Sequence, residues 1–361
     1  MIFCLTALLA GCFGAPGYQG PRSDHFDGER FVNETASAQG GLTRFLRWQR
    51  MRRPGPWRPP VVPPPQPPPP RRVEGEALRV TVVNHATVLI QTAGLNIVTD
   101  PVWSDRTSPV AWIGPARVQP PGVRFEDLPP IDAVLISHNH YDHLDLETLR
   151  RIVARDRPRI FAGLGTGALL DAEGIEGWTD LDWWQSVPLA PSVELVATPA
   201  AHFSGRGLED RDRVLWLGFV LRAPGGPIYF AGDTGHGPHF AEIRRRFGAM
   251  RLALLPIGAY EPRWFMSPVH ISPAEAVQAH RLLGAALSVG IHFGTFPLAD
   301  EGIDEPAYDL ALARSAQRVE PAAFVVPVFG AGIAVPTLRS PRPAAGARRG
   351  SGGPDRRGGR G

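Results

Sequence analysis

The chain has 361 residues, 43% hydrophobic and 20% charged, a balance too apolar for a disordered chain and long enough for one large domain with tails or for two smaller domains. It has no glycine period, no heptads and only 2 cysteines, which excludes collagen, a coiled coil and a disulfide scaffold, and no stretch approaches the roughly 20 apolar residues of a membrane span. The net charge of +3 arises from two arginine-rich segments, 52–72 and 337–361, that together carry +11 and leave the remainder at −8; an acidic body argues against a phosphate-tracking groove, so no nucleic-acid partner is expected.

Both cysteines, Cys4 and Cys12, fall in the first twelve residues, so a metal in the body must use histidines and carboxylates. The apolar start ends in Leu9-Ala10-Gly11-Cys12, which resembles the bacterial lipoprotein cleavage box, although no positive residue precedes it. The expectation is a signal over 1–12, a lipid on Cys12 and a place in the bacterial cell envelope, on the periplasmic side. Without that lipid the chain would be cytoplasmic or peripheral to a membrane. An N-terminal extension follows over 13–53. Within it, residues 41–53 set Leu42, Phe45, Leu46 and Trp48 among five arginines. This pattern predicts a short helix whose aromatics pack on the main domain; the other reading is a basic amphipathic helix on a membrane surface. Residues 54–72 form a linker, because eleven prolines between 54 and 70 predict stiff polyproline II.

The main domain is expected over 73–336. Leu78–Val83, Thr87–Thr92 and Leu95–Asp100 are β-rich runs between turn signals, which suits consecutive antiparallel strands. Ala133–Ser137 reads as a buried strand and Leu146–Arg155 as the helix after it. Strands are predicted at Val193–Ala197, Leu215–Arg222, Pro227–Ala231, Leu252–Pro256, Leu287–His292 and Phe324–Val328, and helices at Phe240–Phe247, Pro273–Leu283 and Pro306–Arg318. Ser272, Pro273 and Glu275 supply an N-cap, a first-turn proline and a capping box for the second of these. Hairpins and strand–helix units in one chain predict an α/β (α+β) fold of two mixed sheets covered by helices. The tail over 337–361 is predicted disordered.

Chemistry concentrates where strands end. Ala133–Ser137 runs into His138-Asn139-His140-Tyr141-Asp142-His143; alternation aims His138 and His140 the same way, and the turn brings Asp142 and His143 beside them. Three imidazoles and a carboxylate suit zinc. His202, Asp233 and His292 each stand at a strand end, and together the seven donors suffice for two zinc ions per chain sharing one carboxylate.

The chain resembles the metallo-β-lactamase fold superfamily and, within it, the N-acyl-phosphatidylethanolamine-hydrolysing phospholipase D family. The segments that carry the resemblance are 78–89, 99–109, 128–145, 230–235, 255–266 (LPIGAYEPRWFM) and 291–298, with weaker likeness at Arg30–Asn33 and Leu46–Met51. The resemblance implies an αββα sandwich with a dinuclear zinc site at one edge of the two sheets. Carried over by motif, His138, His140 and His202 bind the first zinc, Asp142, His143 and His292 the second, and Asp233 bridges them. Besides Asp142, the catalytic set includes His270, matching a family histidine near the reacting phosphate and expected to act as an acid. It also includes Asp145, expected to orient a ligand histidine from behind. The implied reaction is attack of a metal-bridging hydroxide on a phosphodiester, giving phosphatidic acid and an N-acylethanolamine, with a phospholipid substrate, a membrane surface as partner and a homodimer left open. Val269 and Asn84 depart from the family pattern at positions that bear on the head group. Rival readings are a hydrolase of a lactone, a sugar phosphate or a cyclic nucleotide, and a lipid-anchored binding module without catalysis.

Overall fold

The computed structural model describes residues 14–34, 42–58, 66–110, 112–207 and 209–338. The lipoprotein box with Cys12, the middle of the proline run and the tail from 339 lie outside the described residues. The first sheet contains β1 (Leu78–Asn84), β2 (Thr87–Thr92), β3 (Leu95–Thr99), β4 (Ala133–Leu135), β5 (Arg159–Gly163), β6 (Trp178–Leu181) and β14 (Gly332–Val335), in the order β14-β1-β2-β3-β4-β5-β6. The second contains β7 (Ser186–Ala190), β8 (Val193–Thr198), β9 (Gly218–Arg222), β10 (Ile228–Phe230), β11 (Leu252–Pro256), β12 (Leu287–Ile291) and β13 (Phe324–Val325), in the order β13-β12-β11-β10-β9-β8-β7. Each sheet joins an antiparallel half to a parallel half: β14 to β3 pair antiparallel and β3 to β6 parallel, β7 to β10 antiparallel and β10 to β13 parallel.

Alternation along the strands builds three apolar layers. In β2, Val88 and Ile90 face the layer between the sheets, where Leu135, Leu195, Phe219 and Leu254 meet them. Leu89 faces the opposite way, under Leu149 and Ile152 of the helix Leu146–Asp156. On the far side of the second sheet, Tyr229, Ala253 and Leu255 lie under Phe240, Val277 and Leu310 of the helices His239–Phe247, Pro273–Leu283 and Glu305–Gln317. The molecule is therefore an αββα sandwich. The capping box at Ser272 and Glu275 forms as expected.

β4, β9 and β13 are among the strands shorter than the sequence predicts, and for β4 and β9 the hydrogen bonds show why. β4 stops at Leu135 because the Ser137 N–H donates to the Asp100 side chain (2.7 Å) instead of a neighbouring strand. Leu215 and Leu217 bond to Leu164 O and Ser137 O, beyond the ends of β5 and β4, so residues 215–217 cross between the sheets before β9 begins. β13 pairs through two residues only, Phe324 and Val325. The strands β5, β6, β7 and β14 carried no clear signal: β6 and β7 are edge strands with partly exposed faces, which blurs alternation.

The helix Leu42–Met51 packs on the domain through buried Trp48, which stacks on Phe265 at 5.0 Å and joins Ala259, Met266 and Ala299. Residues 14–34 also lie on the domain, with Phe26 and Phe31 in the layer between the sheets. Arg251, 1% exposed, closes the other end by donating to Pro224 O, Val335 O and Pro336 O at 2.7–3.0 Å. Arg251→Ala strands three carbonyls and is expected to lower unfolding free energy by about 3 kcal/mol or more. Urea unfolding measures the loss, and an unshifted midpoint would contradict the clamp.

Candidate metal centre

The site forms where the carboxyl ends of strands from both sheets meet. His85 follows β1, Asp100 follows β3, His138–His143 follow β4, His202 follows β8, Asp233 follows β10 and His292 follows β12. Several of these turns need unusual backbone: His85, Asp100 and His292 have φ of 42°, 33° and 61°, a region that side chains other than glycine enter only when their surroundings hold them. The His292 N–H donating to His85 O (2.8 Å) ties two of them together. Gly232 lets the Asp233 turn reach the His138 loop, since a Cβ there would stand 2.6 Å from Ser137 Cβ at a φ of 59°. The His138 loop itself is folded back by His143 N–H and Leu144 N–H on His140 O, and Arg206 grips it from outside through Asn139 O and Leu144 O.

All seven expected donors converge. His138 Nε2 and His202 Nε2 lie 2.7 and 3.4 Å from His140 Nδ1. Asp142 Oδ2 lies 3.3 and 3.4 Å from His143 Nε2 and His292 Nε2. Asp233 Oδ2 stands between the groups, 3.0 Å from His292 Nε2, 3.2 Å from His143 Nε2 and 3.8 Å from His202 Nε2. The donor atoms of His138, His140 and His202 all lie within 4.8 Å of one another, as do those of His85, Asp142, His143 and His292.

The chemistry of this donor set fits metal cations. Burial pushes His138 and His202 well below the usual imidazole range and His140 down to about 4, so these rings are neutral lone-pair donors. His202 Nδ1 donates to Val269 O (2.9 Å), which leaves Nε2 as its free lone pair. Around the carboxylates the balance reverses. Burial opposes charge, but Asp233 and Asp142 outweigh it, holding His143 well above its usual range and His292 up to about 9. A buried carboxylate, Asp233, and a partly buried one, Asp142, thus draw positive charge into the site, a demand that divalent ions meet. Asp233 Oδ1, His143 Nε2 and His292 Nε2 make no hydrogen bond although fully buried, as expected of atoms reserved for coordination.

One expectation about a neighbour is corrected. Asp145 does not orient a ligand: it caps the helix Leu146–Asp156, accepting from Thr148 N–H and Thr148 Oγ1, and from the N–H groups of Trp103 and Ser104. The carboxylate behind the ligand is Asp100, which accepts from His143 Nδ1 (2.7 Å) and from Ser137 Oγ (2.6 Å). Hence Asp100→Asn is expected to weaken metal binding about 10- to 100-fold, whereas Asp145→Ala lowers stability and leaves affinity unchanged. Chelator competition on both variants checks the contrast. His85 was not among the expected site residues, yet its Nε2 lies 3.0 Å from Asp142 Oδ2. Both Asp100 and His85 fall inside the segments carrying the family resemblance and at strand ends, the two signals that could have found them.

His270 joins the cluster, its Nδ1 3.8 Å from Asp233 Oδ2. Burial pushes its pKa down to about 4, so at neutral pH it is a neutral imidazole and not the standing acid expected from the sequence. Arg263 holds its segment by donating to Tyr260 O, His270 O and Glu275. That contact gives the GAYEPRWFM block a structural task that metal binding alone does not require.

Two helix-covered mixed sheets with this donor cluster at one edge define a metal-dependent hydrolase of the metallo-β-lactamase fold. The chain belongs to the beta-lactamase superfamily, whose domain pattern matches residues 95–293. It is 39% identical over 333 residues to an uncharacterized protein of Mycobacterium tuberculosis (strain ATCC 25618 / H37Rv), covering 87% of this chain and 88% of that one. It is 42% identical over 229 residues to the N-acyl-phosphatidylethanolamine-hydrolyzing phospholipase D 1 of Caenorhabditis elegans, covering 60% of this chain and 64% of that one. Among solved structures it resembles Igni18, a metallo hydrolase of the archaeon Ignicoccus hospitalis, with a TM-score of 0.55 at 22% identity over 73% of this chain and 100% of the other; this is a likeness of fold.

Proposed function

We propose that the protein is a dinuclear zinc phosphodiesterase of the phospholipase D type, converting N-acyl-phosphatidylethanolamine and water to phosphatidic acid and an N-acylethanolamine. The observation that carries the reading is the closure of six donor residues around a seventh, Asp233, with the named Caenorhabditis elegans relative supplying the substrate class. His138, His140 and His202 would hold one ion, Asp142, His143 and His292 the other, and Asp233 both. Zinc, when bound, supplies Lewis acidity and a water whose pKa falls toward 7. The bond between phosphorus and the ethanolamine oxygen breaks, a bond from phosphorus to the water oxygen forms, and a solvent proton ends on the leaving oxygen. Neutral His270 donates a hydrogen bond to a phosphoryl oxygen as charge builds there.

A lipid surface as partner would be met by exposed apolar side chains, of which Trp112 and Ile113, 73% and 54% accessible, are an adjacent pair. A lipid on Cys12 fits the same picture: Ala15, three residues on, donates its N–H to Asp210 (2.9 Å), in the loop that follows His202. Among the described residues no helix is long and apolar enough to cross a membrane.

The test is incubation of the purified protein with a lipid extract and with N-acyl-phosphatidylethanolamine, with products identified by mass. Release of an N-acylethanolamine that a chelator abolishes is the expected result. Chelator-sensitive turnover of a lactone, sugar phosphate or cyclic nucleotide, with the lipid left intact, would replace the substrate and keep the metal centre.

A further inference from the structure

The ligand set is gripped from a part of the chain that lies outside the matched 95–293 region. Asn33 is 169 positions from His202 in sequence, yet its side chain pairs with both polar groups of the His202 backbone. Asn33 Oδ1 accepts from His202 N–H (3.0 Å), and Asn33 Nδ2 donates to His202 O (2.9 Å). The same Oδ1 accepts from Trp216 Nε1 (2.9 Å), whose indole is buried. An amide is the side chain that offers an acceptor and a donor side by side. It therefore fixes the His202 peptide at two points while Val269 O fixes the ring.

The amide is itself held. Phe31, two residues earlier, donates its N–H to Asp212 O (2.7 Å) and packs with Phe26 in the central layer, ring centroids 4.6 Å apart. His25 bonds Asp182 through Nε2 (2.7 Å) and stacks on Trp183 at 4.4 Å. Tyr18 N–H donates to Arg213 O (2.9 Å). Residues 14–34 thus form a strap across the loop that presents His202, anchored on both sides of it. His202 is 1% exposed, so without Asn33 its N–H and C=O would have to find other partners or shift.

We infer that Asn33 is a positioning residue of the metal centre, and that the strap 14–34 sets the coordination geometry of the ion held by His138, His140 and His202. The inference rests on the reading of His202 as a metal ligand. It makes an uneven prediction: loosening Asn33 disturbs one of the two ions and spares the one held by Asp142, His143 and His292.

The experiment uses the full-length protein loaded with cobalt(II), whose visible absorption reports coordination geometry, together with zinc competition against a chromophoric chelator. Asn33→Ala is expected to shift the cobalt bands and weaken one of two zinc affinities about 10-fold or more. Asn33→Asp keeps the acceptor for His202 N–H and Trp216 and loses the donor to His202 O; it is expected to fold and to show the same spectral shift. His202→Ala serves as the reference and should lose one ion. If both Asn33 variants lower thermal stability but keep the wild-type spectrum and both affinities, the residue is a structural staple and the inference is overturned. If instead His202→Ala keeps both ions, the ligand reading itself fails, and that failure is recognisable without the Asn33 data.

Discussion

Asp233→Ala is expected to leave the protein with fewer than one tightly bound metal ion per chain and to lower hydrolysis by three decades or more, on the order of what removal of a shared Lewis-acid centre entails. Four imidazole nitrogens, those of His292, His143, His202 and His270, lie 3.0–3.8 Å from Asp233 Oδ2. Among the described residues no other carboxylate makes ion-pair contacts with histidines of both donor groups; those of Asp142 are with His85, His143 and His292. Burial alone would raise the Asp233 pKa, but His143 and His292 hold it well below the carboxylate range, so it is a permanent negative charge that cations can share. Without it, the burial that opposes charge on His143 and His292 is met by Asp142 and Asp100 alone. Asp233→Asn keeps the volume and one acceptor and loses the charge, so it should retain metal better than alanine yet still fall well below wild type. Elemental analysis of protein prepared without chelator reads both variants directly. Two ions per chain in Asp233→Ala, at undiminished rate, would refute the bridging role.

How far the sequence went depends on the range of the interaction involved. Elements defined by their own neighbours were legible: the capping box at Ser272 and Glu275 forms, and β2 and β11 run over the expected residues, Thr87–Thr92 and Leu252–Pro256. The seven donors were legible because a dense histidine motif and strand-end positions are local features. Functions assigned by proximity in sequence were less secure. Asp145 sits two residues after His143 and looked like its support, but a residue at the start of a helix has four N–H groups to satisfy, and that demand takes its carboxylate. The support comes from Asp100, 43 positions away, through a strand pairing that no local pattern encodes. Asn33 belongs with Asp100 in this respect: its partner, His202, follows β8 169 positions away, and only the folded chain brings them together. The protonation state of His270 was not legible for a different reason, since its pKa depends on how completely the site excludes water, which residue identity does not reveal.

His270→Ala should retain both metal ions and lose about two to three decades of rate by the same factor on a poor and a good leaving group. A proton donor behaves otherwise: it matters most when the departing alkoxide is strongly basic and least when it is a nitrophenolate. With a pKa near 4, roughly one His270 in a thousand carries the second proton at pH 7, and cations bound alongside would lower that fraction further. What the neutral ring retains is an N–H, and hydrogen bonding to a phosphoryl oxygen in the transition state is insensitive to the leaving group. The ethanolamine-type diester and the activated nitrophenyl diester should therefore lose rate in parallel, and wild-type kcat should show no descending limb near pH 6 to 7 from this residue. Loss of one ion in His270→Ala would instead make it a ligand, consistent with its Nδ1 standing 3.8 Å from Asp233 Oδ2. A loss confined to the ethanolamine diester, with metal content intact, would restore the acid and require that bound substrate raise the pKa of the buried ring, which a phosphodiester's negative charge has the correct sign to do.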